Sequence, residues 1–443
     1  MTASPSRSTE VFAVPAGRVA RGRLAVPPSK SLTNRYLNLA LLAGAPATIE
    51  RPLEAEDTRA FLAALAVCGF QVEKGEEEWR LTPGPLPAAA AIDCGASGTM
   101  LRFLTAALAA LPGNWRLDGV PRLRERPVGP LIEALRALGA HIRCGEREGY
   151  APLEIEGGTL GAGEALIDAS ASSQFLSALL MAALRASGPV TVEVAGLTSE
   201  PYLDLTLSAI GRFGGSVEPV ASPRAFVVRP APLAAGRLRV EGDFSAACYP
   251  VAAAALTGGE VVLAGLARDS AQGDRAFFDL LARMGVAVEW SGEEEVSVRG
   301  APGGALVVAD ADLAAMPDQV PTVAALAPFA RGTTRIRDVP HLRWKESDRL
   351  RAMASQLAAA GVPVEERADG LTIPGIWTGR SPADLPSAPV AIDPHGDHRI
   401  AMSMALVGLR RPGIAIADPH VVAKSYPGFW RDLAALLVAA EGN

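Results

Sequence analysis

Cysteine is scarce in this chain: four in 443 residues, at Cys68, Cys94, Cys144 and Cys248, far apart and without metal-ligand spacing. A disulfide scaffold or a zinc module needs clustered cysteines, so neither fits, and reduced, mostly buried thiols are expected. Histidine is almost as rare, with five; HGDH at 395–398 is an isolated pair with no third ligand in view, so no metal is expected. No GxxxxGK[ST] occurs, and GASG around Gly95 and Gly98 lacks both the GxGxxG spacing and the ribose-binding acid, which excludes the common nucleotide-phosphate loops. The apolar runs are Ala-rich and broken by Gly, Pro or charge, too short to read as membrane spans. The start, MTASPSRSTEVFAVPAGR, lacks the apolar stretch of a signal peptide, so a cytoplasmic location is expected. Basic excess is missing too: the net charge of −6 gives no global attraction to nucleic acid or an anionic membrane, and any anion site must be local.

What the chain has in quantity is repetition. A helix-like apolar run, a Gly turn, a short strand, a polar loop, a second helix, then Gly and another strand recur six times. The turn Gly after the first helix falls at Gly44, Gly113, Gly188, Gly258, Gly332 and Gly413, in steps of 69, 75, 70, 74 and 81 residues. The Gly that ends the second helix falls at Gly69, Gly139, Gly214, Gly285 and Gly361, in tails such as EALRALGAHIR and LLARMGVAVEW. Gly just past a helical run, followed by alternating apolar residues, is a helix C-cap leading into a strand. Phased over the chain, it predicts an α/β fold of six βαβ-type units that bury their faces against neighbours.

At 443 residues and 49% hydrophobic, the chain is long enough for two cores of ordinary size. Copies one to three occupy 28–243 and copies four to six 244–443. The sixth copy ends at VAAEGN without a closing strand, while GRVARGRLAV (17–26) is a strand without a unit. The expectation is that 14–27 joins the C-terminal lobe and completes the sixth copy, with 1–13 a flexible tail. Two chain crossings, near Pro27-Pro28 and Glu241–Asp243, then form a hinge.

Reactive side chains cluster at two phases of the repeat. At the starts of the first helices stand Lys30, Ser31, Thr33 and Arg35; Ser97, Gly98, Thr99 and Arg102; Ser172, Ser173 and Gln174; Asp318; and Asp397, His398 and Arg399. Ser, Thr, Asp and Gly are ordinary N-caps, and each alone reads that way. Lys30, Arg35 and Arg399 do not: the helix dipole disfavours a cation in the first turn, and a bound anion is the natural reason for one there. The second polar loops add Arg124, Glu125, Arg126, Ser199, Tyr202, Lys345, Glu346, Asp348, Arg349 and Lys424.

Together PPSKSLTNR, SGTMLR, LRERPVG, SSQFLSALLMAAL, SEPYLD, RWKESDRL, GDHRIAMSMALVGL and AKSYPGFW, in this order over about 25–435, resemble the 5-enolpyruvylshikimate-3-phosphate synthase family of aromatic amino acid biosynthesis. The resemblance implies two similar lobes, each of three βαβαββ repeats with parallel helices (the enolpyruvyltransferase inside-out α/β barrel). It implies transfer of the enolpyruvyl group of phosphoenolpyruvate to the 5-hydroxyl of shikimate 3-phosphate, with release of phosphate and no cofactor. The expected partners are these two small molecules, with no nucleic acid, no membrane and a monomeric chain; cations on both lobes predict closure when shikimate 3-phosphate neutralises them.

By the same resemblance, Lys30, Ser31, Arg35, Ser172, Ser173, Gln174, Ser199, Tyr202, Asp318, His341 and Lys345 match the shikimate 3-phosphate contacts. Lys30, Gly98, Thr99, Arg126, Gln174, Arg349, His398, Arg399 and Lys424 match those to phosphoenolpyruvate. Asp318, Glu346, Lys345 and Lys30 match the catalytic groups: Glu346 for the methylene proton, Asp318 for the hydroxyl proton or for orienting the hydroxyls as an N-cap, and the lysines for proton shuttling. Three positions depart from the family pattern. Ala96 and Phe103 stand where Asn and Pro are common, and His341 where Asn is, all bearing on substrate affinity and on glyphosate response. The family of the same fold that acts on UDP-N-acetylglucosamine carries a reactive Cys before its Arg-Pro-Val; GNWRLDGVPRLRERPVG has none. A non-catalytic polyanion binder would be expected to lose Glu346 or Lys424, and both are present.

Overall fold

The computed structural model describes residues 10–220, 224–308 and 310–439. The chain divides into two compact units, Pro28–Glu241 and Met1–Pro27 with Gly242–Asn443. The crossings therefore fall at 27/28 and 241/242, the second within the Glu241–Asp243 stretch and two residues before the copy boundary read at 243/244.

Each unit is organised by its first helices, which are buried on nearly every side, their polar residues included. In Lys30–Ala43 the eleven residues Leu32 to Leu42 are all buried. In His398–Arg410 all thirteen are. Gly98–Ala109 and Ser173–Ala183 are covered almost as fully. The second helices have one buried stripe, as Leu131, Ile132, Ala134 and Leu135 in Gly129–Ala137, and lie over the interior helices. The glycines that end the second helices, Gly69, Gly139, Gly214, Gly285 and Gly361, all take positive φ, between 78° and 94°. An L side chain is strained there, which is why Gly punctuates the repeat so regularly.

The sheets share one plan: a parallel strand pair followed by an antiparallel hairpin. In copy two, Ala89–Asp93 runs parallel to Gly113–Asp118, which pairs antiparallel with Leu153–Gly157 and that in turn with His141–Cys144. Copy one borrows its leading strand from the end of copy three, Arg237–Arg239 alongside Ala47–Glu50. That closes the unit on itself.

In the C-terminal unit Arg18–Ala25 bridges two copies: it runs parallel to Glu260–Ala264 of copy four, which the sequence reading did not foresee, and antiparallel to Leu437–Ala439 at the end of copy six. A second strand, Val11–Ala13, also pairs with copy six, antiparallel to Ile414–Ala417. Residues 11–13 are thus part of a sheet rather than of a flexible tail, held further by Phe12 stacked on Trp430 at 4.2 Å; the rest of the expected tail, 1–9, lies outside the described residues. The physical reason is the shared plan: copy four begins at the crossing, so the N-terminal strand is the one left to lead its sheet.

Candidate active site

The first helices start with side-chain caps where Ser or Asp was read as such. Ser29 accepts from Leu32 N, Ser97 from Met100 N and Ser172 from Gln174 N. Asp243 accepts from Ala246 N and Asp397 from Arg399 N, both at 3.0 Å. Copy five differs. Pro317–Gln319 is a 3-10 turn ahead of the helix Val320–Leu326, whose N-cap position is Gln319. The Asp318 carboxylate accepts from two guanidiniums, those of Arg349 and Arg399.

In the Pro28–Glu241 unit, two buried guanidiniums, Arg35 and Arg102, donate to neutral groups. Arg35, 2% exposed, donates from Nε to Thr206 Oγ1 (2.9 Å), from Nη1 to Ser31 O (3.0 Å) and from Nη2 to Tyr202 O (3.1 Å). It also lies over the Phe103 ring, 5.4 Å from the centroid, so the Phe that departs from the family pattern gives this guanidinium an aromatic floor. Burial without a carboxylate lowers its pKa to about 10. Arg102 donates to Gln174 Oε1 (2.6 Å) and Pro127 O (3.3 Å), and Gln174 Nε2 donates on to Thr99 Oγ1 (2.9 Å). Arg126 is buried against Gly98, so closely that a Cβ there would stand 2.5 Å from its Cζ. Lys30 pairs with Asp57 at 3.3 Å. Ser172, Ser173 and Ser199 are each 5% exposed, and Ser199 takes φ 54° in the turn before the helix Pro201–Arg212.

In the other unit the cations are matched by carboxylates. Arg349, 2% exposed, is the hub: Nε donates to Asp397 Oδ2, Nη1 to Asp318 Oδ1 and Nη2 to Glu346 Oε2, each at 2.8 Å. Arg399 Nη2 donates to the second oxygen of Asp318 at 2.7 Å. Lys424 Nζ lies 4.0 Å from Glu346 Oε1. Burial alone would raise Asp318, yet Arg399, Arg349 and Lys345 together hold it well below the usual carboxylate range. Burial likewise opposes the charge on Arg349, and Asp397, Glu346 and Asp318 overcome it, raising its pKa. His341 is lowered to about 3 by burial and then by Lys345, so it is neutral at neutral pH. His398 is 1% exposed, its Nδ1 3.7 Å from Asp397 Oδ1.

Of the side chains expected at a site, Arg349, Asp318, Glu346 and Arg399 are joined by ion pairs in one unit, and Gln174 and Thr99 are joined by a hydrogen bond in the other. Sequence reading missed three features: the partners Asp57 and Asp274, and the ion-pair role of Asp397, read only as a cap. Asp57 and Asp274 stood in the polar loops already singled out, but their partners lie 27 and 29 residues away, beyond any local pattern.

Among the described residues no helix is long and apolar enough to cross a membrane. The family model for EPSP synthase (3-phosphoshikimate 1-carboxyvinyltransferase) matches residues 15–433. A 3-phosphoshikimate 1-carboxyvinyltransferase of Syntrophobacter fumaroxidans is 46% identical over 420 residues, covering 93% of this chain and 96% of the relative. Another, from a Sulfurovum species, is 41% identical over 94% of this chain and 96% of its own length. A solved EPSP synthase from Acinetobacter baumannii superposes with a TM-score of 0.77 at 28% identity, over 96% of this chain and 98% of that one. With the six-copy α/β fold and the two charged clusters in place, the chain belongs to the EPSP synthase family and is a transferase of the enolpyruvyl group in the shikimate pathway.

Proposed function

We propose that the two clusters divide the work of moving the enolpyruvyl group of phosphoenolpyruvate onto the 5-hydroxyl of shikimate 3-phosphate, with phosphate released. Ser172, Ser173, Ser199 and Tyr202 are the groups for the shikimate 3-phosphate side, and Ser31 and Gln174 border them. Arg35 offers the two N–H groups left after Thr206, Ser31 and Tyr202 have taken three. Lys30, Arg126, Gly98 and Thr99 serve phosphoenolpyruvate from this unit; Arg349, His398, Arg399 and Lys424 serve it from the other. His341 and Lys345 complete the shikimate 3-phosphate contacts.

The observation that carries the proposal is the grip on Asp318. With both oxygens on guanidiniums, it is a poor proton acceptor at rest. An anionic substrate that takes Arg349 and Arg399 for itself would strip those partners away and raise the proton affinity of Asp318, at the moment the hydroxyl must lose its proton. Glu346 holds Arg349 by one oxygen and faces Lys424 with the other, a setting suited to delivering the methylene proton and removing one from the methyl group. Lys30 and Lys345 carry protons to the leaving phosphate. The deciding assay is phosphate release from phosphoenolpyruvate: it should require shikimate 3-phosphate and stay silent with UDP-N-acetylglucosamine. Turnover with the latter instead would overturn the reading. The chain is proposed to act as a monomer in the cytoplasm, which sedimentation and cell fractionation would check.

A further inference from the structure

One buried cation, Arg102, has no part in the reaction as described, although it is bonded to a group that does. It is 3% exposed and stands in the second turn of Gly98–Ala109. Its guanidinium lies 5.0 Å from the centre of the Phe175 ring, and Nη2 donates to Pro127 O at 3.3 Å, so its position is fixed from two sides. From there Nη1 donates to Gln174 Oε1 at 2.6 Å, and Gln174 Nε2 donates to Thr99 Oγ1 at 2.9 Å. This relay of three side chains ties the start of Ser173–Ala183 to the start of Gly98–Ala109, 75 residues away at its far bond.

The relay has a direction, and the guanidinium sets it. Arginine carries donors and no acceptor, so it can take only the oxygen end of the Gln174 amide. With Oε1 turned to Arg102, the NH2 end faces Thr99, whose oxygen accepts. A hydroxyl that accepts from a neighbour keeps its own proton to give elsewhere. Turned the other way, the amide would set its N–H groups against a buried cation, which the low-dielectric interior penalises, and its oxygen would take the Thr99 proton. Without the cation, both arrangements of the amide are open.

We propose that Arg102 is a positioning residue: acting through Gln174, it commits the Thr99 hydroxyl to donate, and the acceptor is phosphoenolpyruvate. An anion can use only donors, so the direction of the relay decides whether Thr99 helps to bind it. This rests on Thr99 being a phosphoenolpyruvate contact, as read above.

The test is a double-mutant cycle read as the KM for phosphoenolpyruvate at saturating shikimate 3-phosphate. Thr99→Val keeps the shape and deletes the hydroxyl; in the wild-type background it should raise KM by about tenfold, the size of one hydrogen bond to an anion. In the Arg102→Met background the same substitution should raise KM by no more than about twofold, because the hydroxyl is no longer held as a donor. Thr99→Ser keeps the hydroxyl and should leave KM near the wild-type value. Gln174→Glu carries the test if Arg102→Met does not fold: its carboxylate still accepts from Arg102 but has no N–H, so Thr99 must donate to it, and Thr99→Val should again lose its effect. A tenfold effect of Thr99→Val that persists in both backgrounds leaves the phosphoenolpyruvate contact standing and overturns the role of Arg102. Thr99→Val without effect in the wild-type background removes the contact itself, and the proposal with it.

Discussion

The two clusters treat positive charge in opposite ways. In Pro28–Glu241, Arg35 and Arg102 donate to hydroxyls, an amide and backbone carbonyls, and the charge of Arg35 is desolvated without a carboxylate to cancel it. In the C-terminal unit, Arg349 alone meets three carboxylates and Arg399 shares one of them. On the proposed reading, the first arrangement receives anions, and the second is a compensated network in which Asp318 is held well below the usual carboxylate range until a substrate anion enters. The pKa directions follow the same division, Arg35 lowered and Arg349 raised.

Removing the hub should show the contrast most strongly. Arg349→Met leaves Asp397, fully buried, and Asp318 without their main partner, and should cost about 3–5 kcal/mol of stability along with activity. Arg35→Met leaves only neutral acceptors behind and should cost about 1–3 kcal/mol. Urea titrations of both variants measure the difference; equal costs would erase the distinction between the clusters. Gly98→Ala sharpens it from the other side. The added methyl cannot coexist with Arg126 where it lies, so KM for phosphoenolpyruvate should rise by about tenfold to a hundredfold with little change in melting temperature. The smallest effect concerns pH. His341 is held neutral in the fold, with a pKa of about 3 against an ordinary value near 6.5. Between those values the unfolded chain binds a proton that the fold does not, so stability should fall as pH drops through that window, by at most about 1.4 kcal/mol per pH unit. His341→Asn should flatten this slope without abolishing turnover, as chemical denaturation at pH 4 to 7 would show.

Much of this organisation could be read from the chain because it rests on local, repeated physics. The second-helix glycines mark positions where only a residue without Cβ sits easily, and all five adopt the expected left-handed backbone. Likewise the first-helix positions of Lys30, Arg35 and Arg399 signalled charge where a helix alone would not place it. What escaped was set by distance or by plan. Val11–Ala13 is three residues long, and its partner strand lies some four hundred residues away, so no periodicity could announce it. Asp397 reads as an N-cap and is one, but its second duty, to Arg349, is fixed by packing of two helices 48 residues apart. The two guanidiniums on Asp318, from Arg349 and Arg399, come from 31 and 81 residues away, so the sequence around it could not announce them.

The central claim is that the carboxylates of the compensated network do the proton chemistry at phosphoenolpyruvate, while shikimate 3-phosphate is held chiefly by the groups of the other unit. Glu346→Gln tests it most directly, by following solvent deuterium into the methylene carbon of phosphoenolpyruvate while shikimate 3-phosphate binding is titrated on the same protein. The account predicts that deuterium entry is suppressed by orders of magnitude while the shikimate 3-phosphate Kd stays within about twofold of wild type. Undiminished deuterium entry, or a loss of shikimate 3-phosphate binding to match the loss of exchange, would contradict it.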